Sequence, residues 1–144
     1  MKYETHKLIA VDLTNRIRTV YDMERDGYRL VAITCTKTAV GFEISYSFDR
    51  EYDFVTLRLE IPPDVEITSI SGVYPCAFIY ENELKDLFGV KIKHISLDYE
   101  GNFYKLPVKT PFAPQATRES GEAAVGAPLE VKTVESVAQK EEPR

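Results

Sequence analysis

Three acids, Glu81, Glu83 and Asp86, stand within one short stretch, and a histidine, His94, follows them. Carboxylates so placed are the material of acid–base catalysis, with histidine as a proton carrier near neutral pH. Helical geometry works against that use, because residues 81 and 83 are about 200 degrees apart around a helix and their carboxylates diverge. A catalytic site would also need a nucleophile, a metal or a phosphate cradle. Gly27, Gly41, Gly72 and Gly89 stand singly between elements, and no Gly-x-Ser-x-Gly elbow is present; Ser69-Ile70-Ser71-Gly72 reads as the end of a strand. The same acids suit a second role, favouring the helix dipole near its start and presenting charge to solvent or to a partner's arginines and lysines.

Metal and cluster chemistry find no ligand set. Cys35 and Cys76 are the only cysteines, far apart and outside any Cys-x-x-Cys pair. An iron–sulfur cluster held in the usual way takes four thiolates. His6 and His94 are too few and too scattered for zinc. The two cysteines read as small buried hydrophobes in a reducing compartment. A net charge of -5 argues against a phosphate-backbone binder, so nucleic acid is not an expected partner.

The acids must be positioned by the element that carries them. Ala77, Tyr80, Leu84, Leu87 and Phe88 repeat at three-and-four spacing and predict a helix from 77 to 88 with one apolar stripe, leaving Glu81, Glu83 and Asp86 outside it. Pro75 is tolerated at a first turn, and Gly89 supplies the left-handed stop.

Upstream, Lys7 to Val11 reads as an opening strand and Asp12 as a helix N-cap. Leu13, Ile17, Val20 and Tyr21 form the inward stripe of a first helix over 13–25, with Asn15, Arg16, Arg18 and Asp22 facing outward. The run Leu30-Val31-Ala32-Ile33 predicts a strand buried on both faces. Val40, Phe42, Ile44, Tyr46 and Phe48 alternate with polar residues, and so do Val55, Leu57, Leu59 and Ile61 after a charged turn; together they predict an antiparallel hairpin. Pro62-Pro63 ends it. Val65 to Ile70 predicts a further strand, and Lys91 to Ile95 a short edge strand with its lysines in water. Residues 98–102 read as a turn.

One domain over residues 1–110 accounts for this pattern. From Pro111 to Arg144 proline, alanine, glutamate, glycine and valine dominate, which predicts an extended or disordered tail available to lie along a partner. No apolar run is long enough to span a bilayer, and the first residues lack the layout of a secretory signal, so the expected location is cytoplasmic. The fold expected is α+β: a mostly antiparallel sheet of about four or five strands covered on one face by two helices.

The run from Pro75 to Gly89, an acid-x-acid pair followed by Asp86-Leu87-Phe88-Gly89, resembles the signature of the NuoC-type subunit, the thirty-kilodalton subunit of respiratory complex I. By length the chain is most similar to the short NuoC-like subunits of Ech-type energy-converting, membrane-bound nickel–iron hydrogenases. The match is specific over residues 73 to 93. Two departures stand out: Asn82 replaces the usual arginine between the glutamates, and Lys93-His94-Ile95 replaces a Gly-His-Pro group.

The resemblance implies a non-catalytic, cofactor-free subunit of the hydrophilic arm, peripheral to the inner face of the membrane through its partners. Those partners would be a hydrogenase-like large subunit, an iron–sulfur small subunit, a ferredoxin-like subunit and membrane subunits, with the nickel–iron centre and the clusters residing in them. The contacts expected on this chain are Tyr80, Glu81, Glu83, Asp86, Phe88 and Lys91. Two alternatives are a subunit of another complex I-like oxidoreductase and a freestanding, self-associating regulatory or small-molecule-binding domain.

Overall fold

Alternating side chains set the centre of the molecule. Phe42, Ile44, Tyr46 and Phe48 share one face of a strand with Val55, Leu57, Leu59 and Ile61 of the next, and each is at most 5% exposed. Burying one such side chain contributes roughly 1.5–3 kcal/mol. The computed structural model describes residues 5–113 and pairs these segments as β3 (Phe42–Arg50) and β4 (Asp53–Ile61), the predicted antiparallel hairpin. It tightens where Gly41 passes so close to the backbone of residue 61 that a Cβ would fall 2.0 Å from the Ile61 carbonyl oxygen. That kink starts β3 at Phe42 and leaves Val40, expected in the buried face, 79% exposed.

β2 (Arg29–Lys37) adds to β3 antiparallel, and β1 (Thr5–Val11) adds to β4 parallel, so the sheet order is β1-β4-β3-β2. The fold is α+β, with a mostly antiparallel four-stranded sheet. β2 lies at its edge and is buried on one face only, with Thr34 and Thr36 exposed. The unbroken apolar run that suggested burial on both faces marks a bulge instead. The register shifts between Leu30 and Ala32, which puts Leu30, Ile33 and Cys35 opposite the core-facing Phe48, Tyr46 and Ile44.

α1 (Arg16–Arg25) and α2 (Ala77–Phe88) cover the apolar face, adding Val20, Ala77 and Leu84 to the core. α1 begins three residues later than the periodicity predicts. Asp12 Oδ1 accepts the N–H groups of Thr14 at 2.9 Å and Asn15 at 2.8 Å, holding those residues in a turn before the helix. The inward face is rotated as well: Leu13 and Tyr21 are about half exposed, whereas Arg16, expected outside, is 1% exposed.

β5 (Glu66–Thr68) and β6 (Lys91–Lys93) pair with each other as a separate parallel ribbon rather than extending the sheet. Ile67 and Ile92 face the core while Lys91 and Lys93 face water, as predicted. The expected tail, 111–144, lies outside the described residues except for Pro111 to Ala113.

Candidate partner interface

α2 has the bounds its periodicity predicts. The Ala77 N–H bonds to the Tyr74 carbonyl at the entry, and Gly89, at φ 73°, closes the exit with its N–H on the Lys85 carbonyl. What the periodicity does not reveal is the direction of the polar residues. Glu81, Asn82 and Asp86 are 1%, 0% and 4% exposed, and between them they hold two loops of the chain, one before α2 and one after β6.

Glu81 faces the turn after β5. Its Oε1 accepts the Ile70 N–H at 2.8 Å, and its Oε2 accepts the Ser69 hydroxyl. Burial raises the Glu81 pKa; the Ser69 hydroxyl, the Ile70 N–H and the charge of Arg16 act in the opposite direction. Arg16 reaches into the same region from α1, donating to the Tyr46 hydroxyl at 3.1 Å and to the Thr68 carbonyl. One buried polar network thus ties α1, β3, the β5 turn and α2 together. Its cation and anion interact through charge without a direct ion pair.

Asn82 and its neighbours hold the chain after β6. The Asn82 amide donates to the carbonyls of Phe78 at 2.7 Å and Leu97 at 2.8 Å, and its oxygen accepts the Tyr99 N–H at 2.9 Å. Lys85 Nζ reaches both oxygens of Asp98, at 2.8 and 2.6 Å. Partial burial opposes the ionisation of Asp98, but the Lys85 hydrogen bond, the Glu100 N–H and the Lys85 charge outweigh it and hold the carboxyl below its usual range. Asp86 Oδ2 accepts the Tyr104 N–H at 2.7 Å. The Leu87 carbonyl accepts the Phe112 N–H at 2.8 Å, and the Phe112 ring lies 5.4 Å from that of Phe88.

The segment so held contains no helix or strand and turns apolar side chains outward. Leu97 (50% exposed), Val108 (64%) and Phe112 (52%) stand out most, accompanied by Tyr99, Tyr104 and Leu106. A set of outward aromatic and aliphatic side chains on a pinned loop is the composition of a protein-binding surface.

The six residues expected to contact a partner divide accordingly. Lys91 is exposed, and Glu83, Tyr80 and Phe88 are half-buried; Glu83 lies 3.4 Å from the Tyr104 hydroxyl, and the Tyr80 hydroxyl donates to the Val31 carbonyl. Glu81 and Asp86 are not at the surface, which corrects the outward placement read from the stripe. Glu81 serves the turn after β5, whereas Glu83 and Asp86 both face Tyr104, and no hydrogen bond joins one of these carboxylates to another. Cys35 is half-buried, its thiol pushed up to about 12 by that burial, and Cys76 is exposed. Among the described residues no group of three or more His, Cys, Asp or Glu is placed to hold a metal, and no helix is long and apolar enough to cross a membrane.

Residues 7–98, well over half of the chain, match the family model described as respiratory-chain NADH dehydrogenase, 30 Kd subunit. The chain belongs to this family. No curated protein matches it. Among solved structures, it is similar to a chain of the membrane-bound sulfane sulfur reductase, described as an archaeal respiratory membrane complex. The TM-score is 0.61 at 16% identity, over 69% of this chain and 64% of that one. At that identity the likeness is one of fold, and this chain spans under two thirds of that chain's length.

Within this 30 Kd subunit family member, Asn82 occupies the position where the resemblance expects arginine. It makes no ion pair and instead fastens Leu97 and Tyr99. Sequence reasoning missed this role, along with those of Arg16, Ser69 and Lys85. One signal was readable for Glu81: it lies four residues after Ala77 and three before Leu84, so the spacing that buries those two buries it too.

Proposed function

We propose that this chain is a non-catalytic, cofactor-free subunit in the hydrophilic arm of a membrane-bound, ion-pumping respiratory oxidoreductase of the ferredoxin-linked nickel–iron hydrogenase type. It would hold the large subunit and the iron–sulfur small subunit in register, with ferredoxin-like and membrane subunits completing the complex. It would reach the inner face of the membrane only through them. Family membership supports a place in a respiratory complex, and the fold shared with a chain of an archaeal respiratory membrane complex agrees with it.

The observation that carries the reading is the direction of α2. Its buried Asn82 and Asp86 fasten residues 97–104 rather than converge on a substrate, and the segment they hold, continuing to Phe112 on the Leu87 carbonyl, exposes the apolar side chains. Glu83, Phe88 and Lys91 then meet the partner beside that segment, while Asp86 acts from beneath by keeping it in place, and Tyr80 and Glu81 anchor α2 to β2 and to the turn after β5. The test is to tag the chain in its native host, solubilise membranes in mild detergent and identify what co-purifies. Co-purification of a nickel–iron large subunit and an iron–sulfur small subunit is expected. The chain recovered alone from the soluble fraction would overturn the reading in favour of a freestanding domain.

A further inference from the structure

The two edges of the four-stranded sheet differ. β2 is interrupted by its bulge, its Val31 carbonyl is taken by the Tyr80 hydroxyl, and Arg29 and Lys37 stand exposed at its ends; such devices discourage pairing with another strand. β1 keeps one unbroken register with β4 over all seven of its residues and has no strand on its other side among the described residues. The direction of its backbone groups follows from one hydrogen bond. The Thr5 N–H donates to the Tyr52 carbonyl at 2.9 Å, toward the β4 side, and because these groups alternate along a strand, Lys7, Ile9 and Val11 face β4 as well. The N–H and C=O groups of His6, Leu8 and Ala10 therefore point away from the sheet.

Two side chains define what fits there. Leu8 is 53% exposed along this edge. Lys7 is exposed and makes no ion pair among the described residues; Asp53, the acid nearest to it in register, is held by the Thr5 hydroxyl and by Arg50, and Asp12 and Glu60 stand beyond Val11 at the far end of the strand. A second copy of this chain, laid antiparallel over the full strand, would set Ile9 rather than a carboxylate opposite Lys7, and each copy carries a net charge of -5. We infer that the outer edge of β1 receives an extended strand of a neighbouring subunit, bonded to the backbone of His6, Leu8 and Ala10, with an apolar side chain beside Leu8 and a carboxylate opposite Lys7. The inference rests on the proposed function and adds to it a second contact, at the opposite end of the sheet from β2, and the chemistry of the strand that makes it.

Amide hydrogen exchange tests it in the purified full-length chain and in the tagged, detergent-solubilised complex. In the chain alone Lys7, Ile9 and Val11 should exchange slowly and Leu8 and Ala10 fast; in the complex Leu8 and Ala10 should become slow too. Slow exchange at Leu8 and Ala10 in the chain alone would put its own residues or a second copy on this edge and overturn the inference, as would fast exchange at both in the complex. Two variants read the same contact through the partner subunits retained. Ala10→Pro removes an outward N–H and no bond of the ladder to β4, a place where an edge strand tolerates proline, and Lys7→Glu reverses an exposed charge. Each should leave the thermal midpoint of the chain alone nearly unchanged and lower retention roughly tenfold. Full retention by Lys7→Glu overturns the inference even if Ala10→Pro fails to fold. It leaves the proposed function standing, because the unmodified chain would still recover its partners. Recovery of no oxidoreductase subunit by the unmodified chain overturns both.

Discussion

The Asn82 carboxamide and the Tyr99 backbone, 17 residues apart, meet at 2.9 Å, and the same carboxamide donates to the Leu97 carbonyl at 2.8 Å. One side chain of α2 thereby fixes both ends of a three-residue span in the loop. Asn82→Ala leaves the part-buried Leu97 carbonyl and Tyr99 N–H without this partner and is expected to cost about 1–3 kcal/mol. Amide hydrogen exchange should show the loss concentrated in residues 97–104, with β3 and β4 keeping their protection. Uniform loss across the chain would mean that Asn82 supports the whole core rather than this loop.

Arg16 and Glu81 are expected to be coupled. Arg16→Met removes the cation that moderates the buried carboxylate, and Glu81→Gln removes the anion; each alone is expected to cost about 3 kcal/mol. The double variant should cost less than the two together, because neither charge is then left without the other. Chemical denaturation of the four proteins measures this, and strict additivity would show that the two residues act independently.

The pH dependence of stability should carry two opposite slopes. Glu81 has its pKa raised in the folded state, so the stability it contributes is full below its ordinary value of 4.5 and is lost as pH rises toward the raised one. Asp98 has its pKa lowered, so its contribution is full above 3.8 and is lost as pH falls below that value. Thermal midpoints measured from about pH 3 to 8 should lose the fall above 4.5 in Glu81→Gln. They should lose the acid-side fall in Asp98→Asn. Profiles identical to the parent's would contradict both assignments.

Gly89→Ala tests the exit of α2. The residue sits at φ 73°, and an added Cβ would lie 3.1 Å from Thr110 Cγ2. The left-handed conformation costs a non-glycine residue about 1–2 kcal/mol, and the contact pushes on the segment carrying Phe112. A loss of that size in denaturant unfolding is expected, with weaker retention of partner subunits if the segment docks them.

The sheet, its hairpin and the bounds of α2 are readable from the chain because alternation and helical spacing are local signals. The parallel addition of β1 to β4 and the separation of β5 with β6 are not local, and spacing alone does not determine them. The site was legible as a place but not as a direction. Acids were assigned to the surface by type, although Glu81 lies on the line from Ala77 to Leu84. The reason a glutamate is tolerated there lies in Ser69, Ile70 and Arg16, far away in sequence. Arg16 is the parallel case in α1, where a long aliphatic stem lets a charged residue fill a core position once Tyr46 and Thr68 accept its protons.

The parallel pairing of β1 with β4 sets an order in time. Thr5 aligns with Asp53 and Val11 with Leu59, so among the described residues β1 has no sheet neighbour until β4 has been made. The β2, β3 and β4 ladders join segments close along the chain and can form without it. The N-terminal strand closes the sheet last, and pulse-labelled hydrogen exchange during refolding should find the amides of β3 and β4 protected before those of residues 5–11.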